Sequence, residues 1–136
     1  MTDPIITLHR YFIHANRMRT HFDALLDKQG IGEDKQVETR LYMELWYGLL
    51  YVVIEGWRDL KLRDPEVGPL LDSPHVDLLR RVRNGAFHFQ RDYWDAKFLD
   101  FVSTDGTVEW VRELNRQLGG FFLRHVRARA KPEQST

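Results

Sequence analysis

The segment from Arg80 to Gln90, RRVRNGAFHFQ, concentrates side chains whose chemistry could serve a catalytic site. It holds three arginines, an Asn-Gly pair and one histidine between two phenylalanines. Arginine carries a fixed positive charge that suits phosphate and carboxylate groups, and histidine exchanges a proton near neutral pH. The segment is therefore either the end of a core helix or a small catalytic apparatus.

Arg83 lies on the apolar side of the helix that this segment ends. On a helical wheel it falls among the inward positions Val76, Leu79 and Ala86. An arginine there must be paired with an acid or must face a solvated cleft. Taken alone, this position favours a structural ion pair across the bundle over a functional site.

His88 does not reach Arg83 by helical spacing. Five residues along a regular helix rotate a side chain by roughly 140°. The two come together only if the chain leaves the helix near Gly85, or if a second subunit brings another copy. A histidine between aromatic residues is also typical of a packed, hydrogen-bonded position, so both interpretations stay open.

A polar stripe on an earlier helix offers partners for this segment. Glu44, Gly48, Tyr51 and Glu55 follow helical spacing in an otherwise apolar run. The stripe is either the one solvated side of that helix or the wall of a polar site.

Helical periodicity predicts an all-α bundle of four main helices plus a short helix. The middle of the second helix, residues 41–54, is apolar nearly all round, which indicates burial on more than one side or contact with another subunit. Residues 1–130 are expected to form a single domain, and 131–136 a flexible tail. The expected helices cover about 4–28, 34–60, 73–85, 93–102 and 108–129.

Composition excludes several classes of protein. The 136 residues are 43% hydrophobic and include no cysteine, which rules out disulfide frameworks, thiolate nucleophiles and cysteine-based zinc sites. No signal peptide or membrane-spanning run is visible, so we expect a cytoplasmic protein that does not enter a membrane. None of the common metal- or nucleotide-binding motifs occurs, and we expect no metal and no organic cofactor.

The formal net charge is zero, so any interaction with nucleic acid must depend on where the basic residues lie. Basic side chains follow one side of the first helix and the end of the last one. Each group, taken alone, is typical of a solvated helix face. The residues are Arg10, His14, Arg17 and His21, and Arg124, His125, Arg127, Arg129 and Lys131.

The run Arg83-Asn84-Gly85-Ala86-Phe87-His88 resembles the signature of HEPN domains, in which an arginine and a histidine stand a few residues apart with a polar residue often after the arginine. The resemblance implies a small helical bundle that forms homodimers and brings two such motifs to one cleft. Many HEPN domains are metal-independent endoribonucleases in toxin–antitoxin or defence systems, and others bind a nucleotide, RNA or a protein without cleaving.

By this resemblance, Arg83 and His88 are the catalytic pair and Asn84 is a supporting polar residue. Glu55 is the expected acidic neighbour on a preceding helix, with Glu44 in reserve, and Arg80, Arg81 and Arg91 are expected to contact RNA. Arg81 also fits the motif spacing with His88. Some toxin members carry, two residues after the histidine, a tyrosine that a nucleotidyltransferase partner modifies; Gln90 occupies that position here, while an antitoxin partner stays compatible with the resemblance.

The implied reaction needs no metal. The RNA 2′-hydroxyl attacks the adjacent phosphate, a histidine accepts its proton, and an arginine stabilises the growing negative charge. The expected products carry a 2′,3′-cyclic phosphate and a 5′-hydroxyl. Three hypotheses remain: a dimeric ribonuclease, a non-catalytic HEPN-type binding module, and a helical adaptor in which Arg83 is only structural.

Overall fold

The computed structural model describes residues 3–29, 33–92 and 96–134, and it confirms the all-α fold class within them. Four longer helices correspond to the predicted main helices, and a short helix α3 lies in the segment between the second and third of them. Residues 93–95, where the predicted short helix starts, lie outside the described residues. The helices are α1 Pro4–Gln29, α2 Glu33–Asp59, α3 Val67–Leu71, α4 His75–Ala86, α5 Ala96–Ser103 and α6 Thr107–Gln134.

Helix α2 forms the centre of the core, as its apolar middle predicts. Trp46, Leu50, Val53 and Ile54 have no exposed surface, because α1 packs along one side of α2 and α4 along another. Helix α6 closes the core with Val111, Leu114, Leu118 and Phe122. Each large apolar side chain buried in this way contributes about 1.5–3 kcal/mol to folding.

Helical periodicity also predicts that Tyr11, Leu26 and Val126 face the core, but these three side chains are exposed. They lie at the margins of the apolar stripes, where the neighbouring helix no longer covers them. On α4, Gly85 is buried and Ala86 only partly. Helix α6 continues to Gln134, past the predicted end at Arg129, and the flexibility of residues 131–136 stays a prediction.

A chain of side-chain amides crosses the core and joins three helices. The indole Nε1 of Trp46 donates a hydrogen bond to Oδ1 of Asn115 at 3.2 Å. Nδ2 of Asn115 donates to Oδ1 of Asn16 at 3.0 Å, and Nδ2 of Asn16 donates to the carbonyl of Phe12 at 3.0 Å. Each donor in the chain therefore has an acceptor, which removes the cost of leaving polar groups unpaired in a core.

Gly56 of α2 packs against Leu8 of α1. A Cβ atom at position 56 would overlap the side chain of Leu8, which is itself buried. We therefore expect Gly56→Val to lower the free energy of unfolding by about 1–3 kcal/mol through overpacking. Urea unfolding measures this effect.

Gly68→Val is the matched control, since a Cβ at the helical Gly68 would meet nothing within 4 Å. We expect this control to unfold close to the wild-type midpoint. Equal midpoints for the two variants would contradict the tight crossing at Gly56.

Candidate functional site

Arg83 projects from α4 onto α2 and is held there by three contacts. Its Nη1 donates a hydrogen bond to Oε1 of Glu55 at 2.8 Å, and its Nε donates to Oδ1 of Asn84 at 3.0 Å. Its guanidinium carbon lies 4.6 Å from the ring centroid of Tyr51, in a cation–π arrangement. These contacts fix the plane of the guanidinium group.

The Arg83–Glu55 pair lies at the protein surface, partly exposed to solvent, and outside the deep core. The Arg83 side chain is 26% exposed and the Glu55 side chain 52%. Ion pairs at this exposure contribute only about 0–1 kcal/mol to stability. The guanidinium is therefore accessible to an anion that can compete with Glu55.

The two acidic residues of the α2 stripe have different partners. Glu55 contacts Arg83, whereas Glu44 accepts a hydrogen bond from Nε of Arg40 on its own helix at 2.8 Å. Tyr51, between them, is buried under the guanidinium of Arg83. At its Glu55 end, the stripe therefore forms one wall of a polar site that also contains Arg83.

The chain leaves helix α4 immediately after Ala86. Phe87 ends the helix with φ −104° and ψ 10°, and its N–H bonds to the carbonyl of Arg83 at 3.3 Å. The following His88 is exposed, and its ring makes no hydrogen bond within the described part of the chain. Within one copy of the chain, Arg83 donates to Glu55 and Asn84 and makes no hydrogen bond to His88.

Gly48 of α2 allows the segment that carries His88 to pack closely against this helix. A Cβ atom at position 48 would lie 2.8 Å from Cε2 of Phe87, so the absence of a side chain lets the Phe87 ring rest on α2. The Phe87 side chain nevertheless stays largely exposed, and Phe89 is 93% exposed. Helical spacing places Gly48 on the polar stripe, but it does not predict the contact of Gly48 with Phe87.

The three other arginines close to Arg83 in the sequence lie differently. Arg80 pairs with Asp77 on its own helix, and Nη2 of Arg81 lies 3.4 Å from Oδ2 of Asp100 on α5. Arg91 is exposed and has no ion-pair partner among the described residues. Since Arg81 points to α5 and Arg83 to the polar stripe of α2, the geometry favours Arg83 as the arginine of the motif.

A groove of about 700 Å³ opens beside Glu55, between the start of α1 and the end of α2. Tyr11 and Asp59 line it together with Glu55. Sequence reasoning assigned Tyr11 to the core and did not single out Asp59, although the spacing of Glu55 and Asp59 places both carboxylates on one face of a helix.

The remaining candidates give no second cluster of this kind. The basic residues Arg10, His14, Arg17 and His21 of α1 are exposed, as on a solvated face. Across residues 3–29, 33–92 and 96–134, no group of three or more His, Asp or Glu side chains is placed to hold a metal ion. In the same residues, no helix has the length and apolarity that crossing a bilayer requires.

Comparison of the chain with protein-family models, with curated protein sequences and with solved structures gave no match. The likeness to HEPN domains therefore depends on residues 83–88 and on the helical architecture.

Proposed function

We propose that the chain is a HEPN-type, metal-independent endoribonuclease that acts as a homodimer in a toxin or defence system. The observation that supports this best is the state of Arg83, a guanidinium fixed by Glu55, Asn84 and Tyr51 at the edge of the solvent. The exposed His88 follows directly after the same helix. A fixed cation and a free imidazole are the two groups that metal-free RNA cleavage needs.

The reaction proceeds in one displacement step. The RNA 2′-oxygen attacks the adjacent phosphorus atom while its proton passes to a ring nitrogen of His88. Arg83 leaves Glu55 and donates hydrogen bonds to the non-bridging phosphate oxygens as negative charge grows on them. The bond to the 5′-oxygen breaks, that oxygen takes a proton from a second imidazolium or from water, and the products are a 2′,3′-cyclic phosphate and a 5′-hydroxyl.

A second copy of the chain completes the site in this proposal. Within one copy the ring of His88 makes no hydrogen bond to Arg83, although the two belong to one motif. Phe87 and Phe89, on either side of His88 in the chain, expose apolar surface, and exposed apolar patches mark interaction sites. Pairing of two such faces covers the phenylalanines and brings two motifs together.

The direct test is cleavage of an unstructured RNA by the purified chain in EDTA. We expect products that end in a 2′,3′-cyclic phosphate, which mass spectrometry separates from a linear phosphate by the mass of one water molecule. A DNA oligonucleotide of the same sequence lacks the 2′-hydroxyl and is expected to stay intact. Absence of RNA cleavage, or cleavage that EDTA abolishes, would exclude the proposed reaction.

A non-catalytic HEPN-type module that binds a nucleotide, RNA or a protein is the second candidate. The observation in its favour is that Glu55 already forms an ion pair with Arg83, so that the charge of the guanidinium is neutralised in the free chain. Retention of a fluorescent RNA in EDTA, without any cyclic-phosphate product, would favour this candidate. In either case an antitoxin or nucleotidyltransferase encoded beside the chain would support a toxin role.

A further inference from the structure

A second polar pocket lies between α1 and α6, on the other side of α2 from Arg83. Its volume is about 260 Å³, and its lining consists of Arg19, Arg112, Asn115 and Arg116. The neighbouring Trp46 and the Arg83-facing Gly48 are two residues apart on α2, which turns them roughly 200° from each other. The pocket is therefore separate from the candidate nuclease site.

Two of the three guanidinium groups share one carboxylate, whereas the third, that of Arg116, donates through Nε and Nη2 to Glu113 on its own helix and keeps Nη1 for a further acceptor. Nη1 of Arg19 lies 3.1 Å from Oδ2 of Asp23, and Nη2 of Arg112 lies 2.7 Å from Oδ1 of the same residue. Asp23 is the one carboxylate that pairs with either of them among the described residues. One positive charge thus remains in excess at this end of the pocket.

Asp23 is held in its charged form by these neighbours. Partial burial by itself would raise the pKa of Asp23, but the hydrogen bonds and charges of Arg112 and Arg19 outweigh it and lower the pKa below its ordinary value. The carboxylate therefore neutralises one guanidinium and leaves the other available throughout the neutral pH range.

The arginines keep unused hydrogen-bond donors. A guanidinium group has five N–H donors. Arg19 uses two of its nitrogens, toward Asn16 and Asp23, and Arg112 uses two toward Asp23. N–H groups beyond these remain on both residues for a further acceptor.

The floor of the pocket is rigid and polar. The side chain of Asn115 is buried, with Oδ1 accepting from Trp46 and Nδ2 donating to Asn16. The guanidinium of Arg112 also lies over the Trp46 ring, 5.3 Å from its centroid. A preorganised set of donors binds an anion without the cost of ordering side chains.

We infer that this pocket binds one small phosphate group, either inorganic phosphate or the phosphate of a sugar phosphate, through Arg19, Arg112 and Arg116. The volume is below the range of about 300–1,000 Å³ that holds drug-sized ligands, so it suits a compact anion better than a whole nucleotide. Arginine forks match the geometry of phosphate oxygens. The site is independent of the proposed nuclease reaction.

The test is calorimetric titration of the full chain with inorganic phosphate and with ribose 5-phosphate at constant ionic strength. We expect saturable binding of one phosphate group per chain, and the tighter of the two titrants identifies the source. Arg116→Gln and Arg19→Gln are each expected to weaken binding about tenfold, because each removes charged hydrogen bonds. The Arg116 side chain is 71% exposed, so its replacement should leave the fold intact.

Two controls separate this site from other arginines. Arg124→Gln changes an exposed arginine of the same helix that pairs with Asp64 instead, and it is expected to bind phosphate as the wild type does. Arg17→Gln changes an exposed arginine of α1 that does not line the pocket, and it is also expected to bind phosphate as the wild type does. Wild-type affinity in both Arg116→Gln and Arg19→Gln, or the absence of saturable binding in the wild type, would overturn the inference.

Discussion

His88→Ala is expected to lower the rate of RNA cleavage in EDTA by about 100-fold or more, the usual contribution of a general acid–base group. The side chain of His88 is exposed and has no hydrogen-bond partner among the described residues, so its removal leaves the melting temperature unchanged. Single-turnover cleavage of a labelled RNA, together with a thermal melt of each variant, measures both effects.

His14→Ala is the matched control for this variant. His14 is also an exposed histidine, but it lies on α1 away from the motif. We expect it to cleave at the wild-type rate. Equal rates for His88→Ala and the wild type would remove His88 from the mechanism and leave the binding module as the better account.

Arg83→Gln is expected to lower the cleavage rate by about 100- to 1,000-fold, as the loss of one charge-stabilising donor does in other enzymes. Stability is expected to fall by at most about 1 kcal/mol, since the Glu55 side chain that loses its partner is 52% exposed and can be hydrated. The same pair of measurements, single-turnover cleavage and unfolding in urea, tests both numbers.

Arg81→Gln provides the comparison that assigns the motif arginine. Arg81 also fits the spacing to His88, but it pairs with Asp100 on α5. We expect Arg81→Gln to keep most of the activity. Loss of activity in Arg81→Gln alone would reverse the assignment, and a loss of about 3–5 kcal/mol of stability in Arg83→Gln would instead identify a buried structural pair.

Local signals in the sequence were sufficient for the helices and for the central place of α2. Asp3 has a residue type typical of a helix N-cap, and its carboxylate accepts a hydrogen bond from the N–H of Ile5 at 2.9 Å. Ser73 is of the same kind, and its hydroxyl accepts a hydrogen bond from the N–H of His75, the first residue of α4, at 3.2 Å. Helix α4 ends at Ala86, one residue past the Asn84-Gly85 pair near which the chain was expected to leave the helix.

Long-range partners could not be derived from the same signals. A helical wheel places Glu44 and Glu55 on one stripe, but only the packing of α4 against α2 decides that Glu55 meets Arg83. The pocket at Arg19 and Arg112 depends on contacts between residues far apart in the chain, which periodicity within one helix does not encode.

The amide chain through the core has a consequence for how the bundle assembles. Trp46, Asn115 and Asn16 meet at one height, and each belongs to a different helix. If α6 slid by one turn, about 5.4 Å, the apolar stripes would still overlap while these buried groups lost their partners. The three residues therefore fix the axial register of α6 against α1 and α2. This register places Arg112 opposite Asp23.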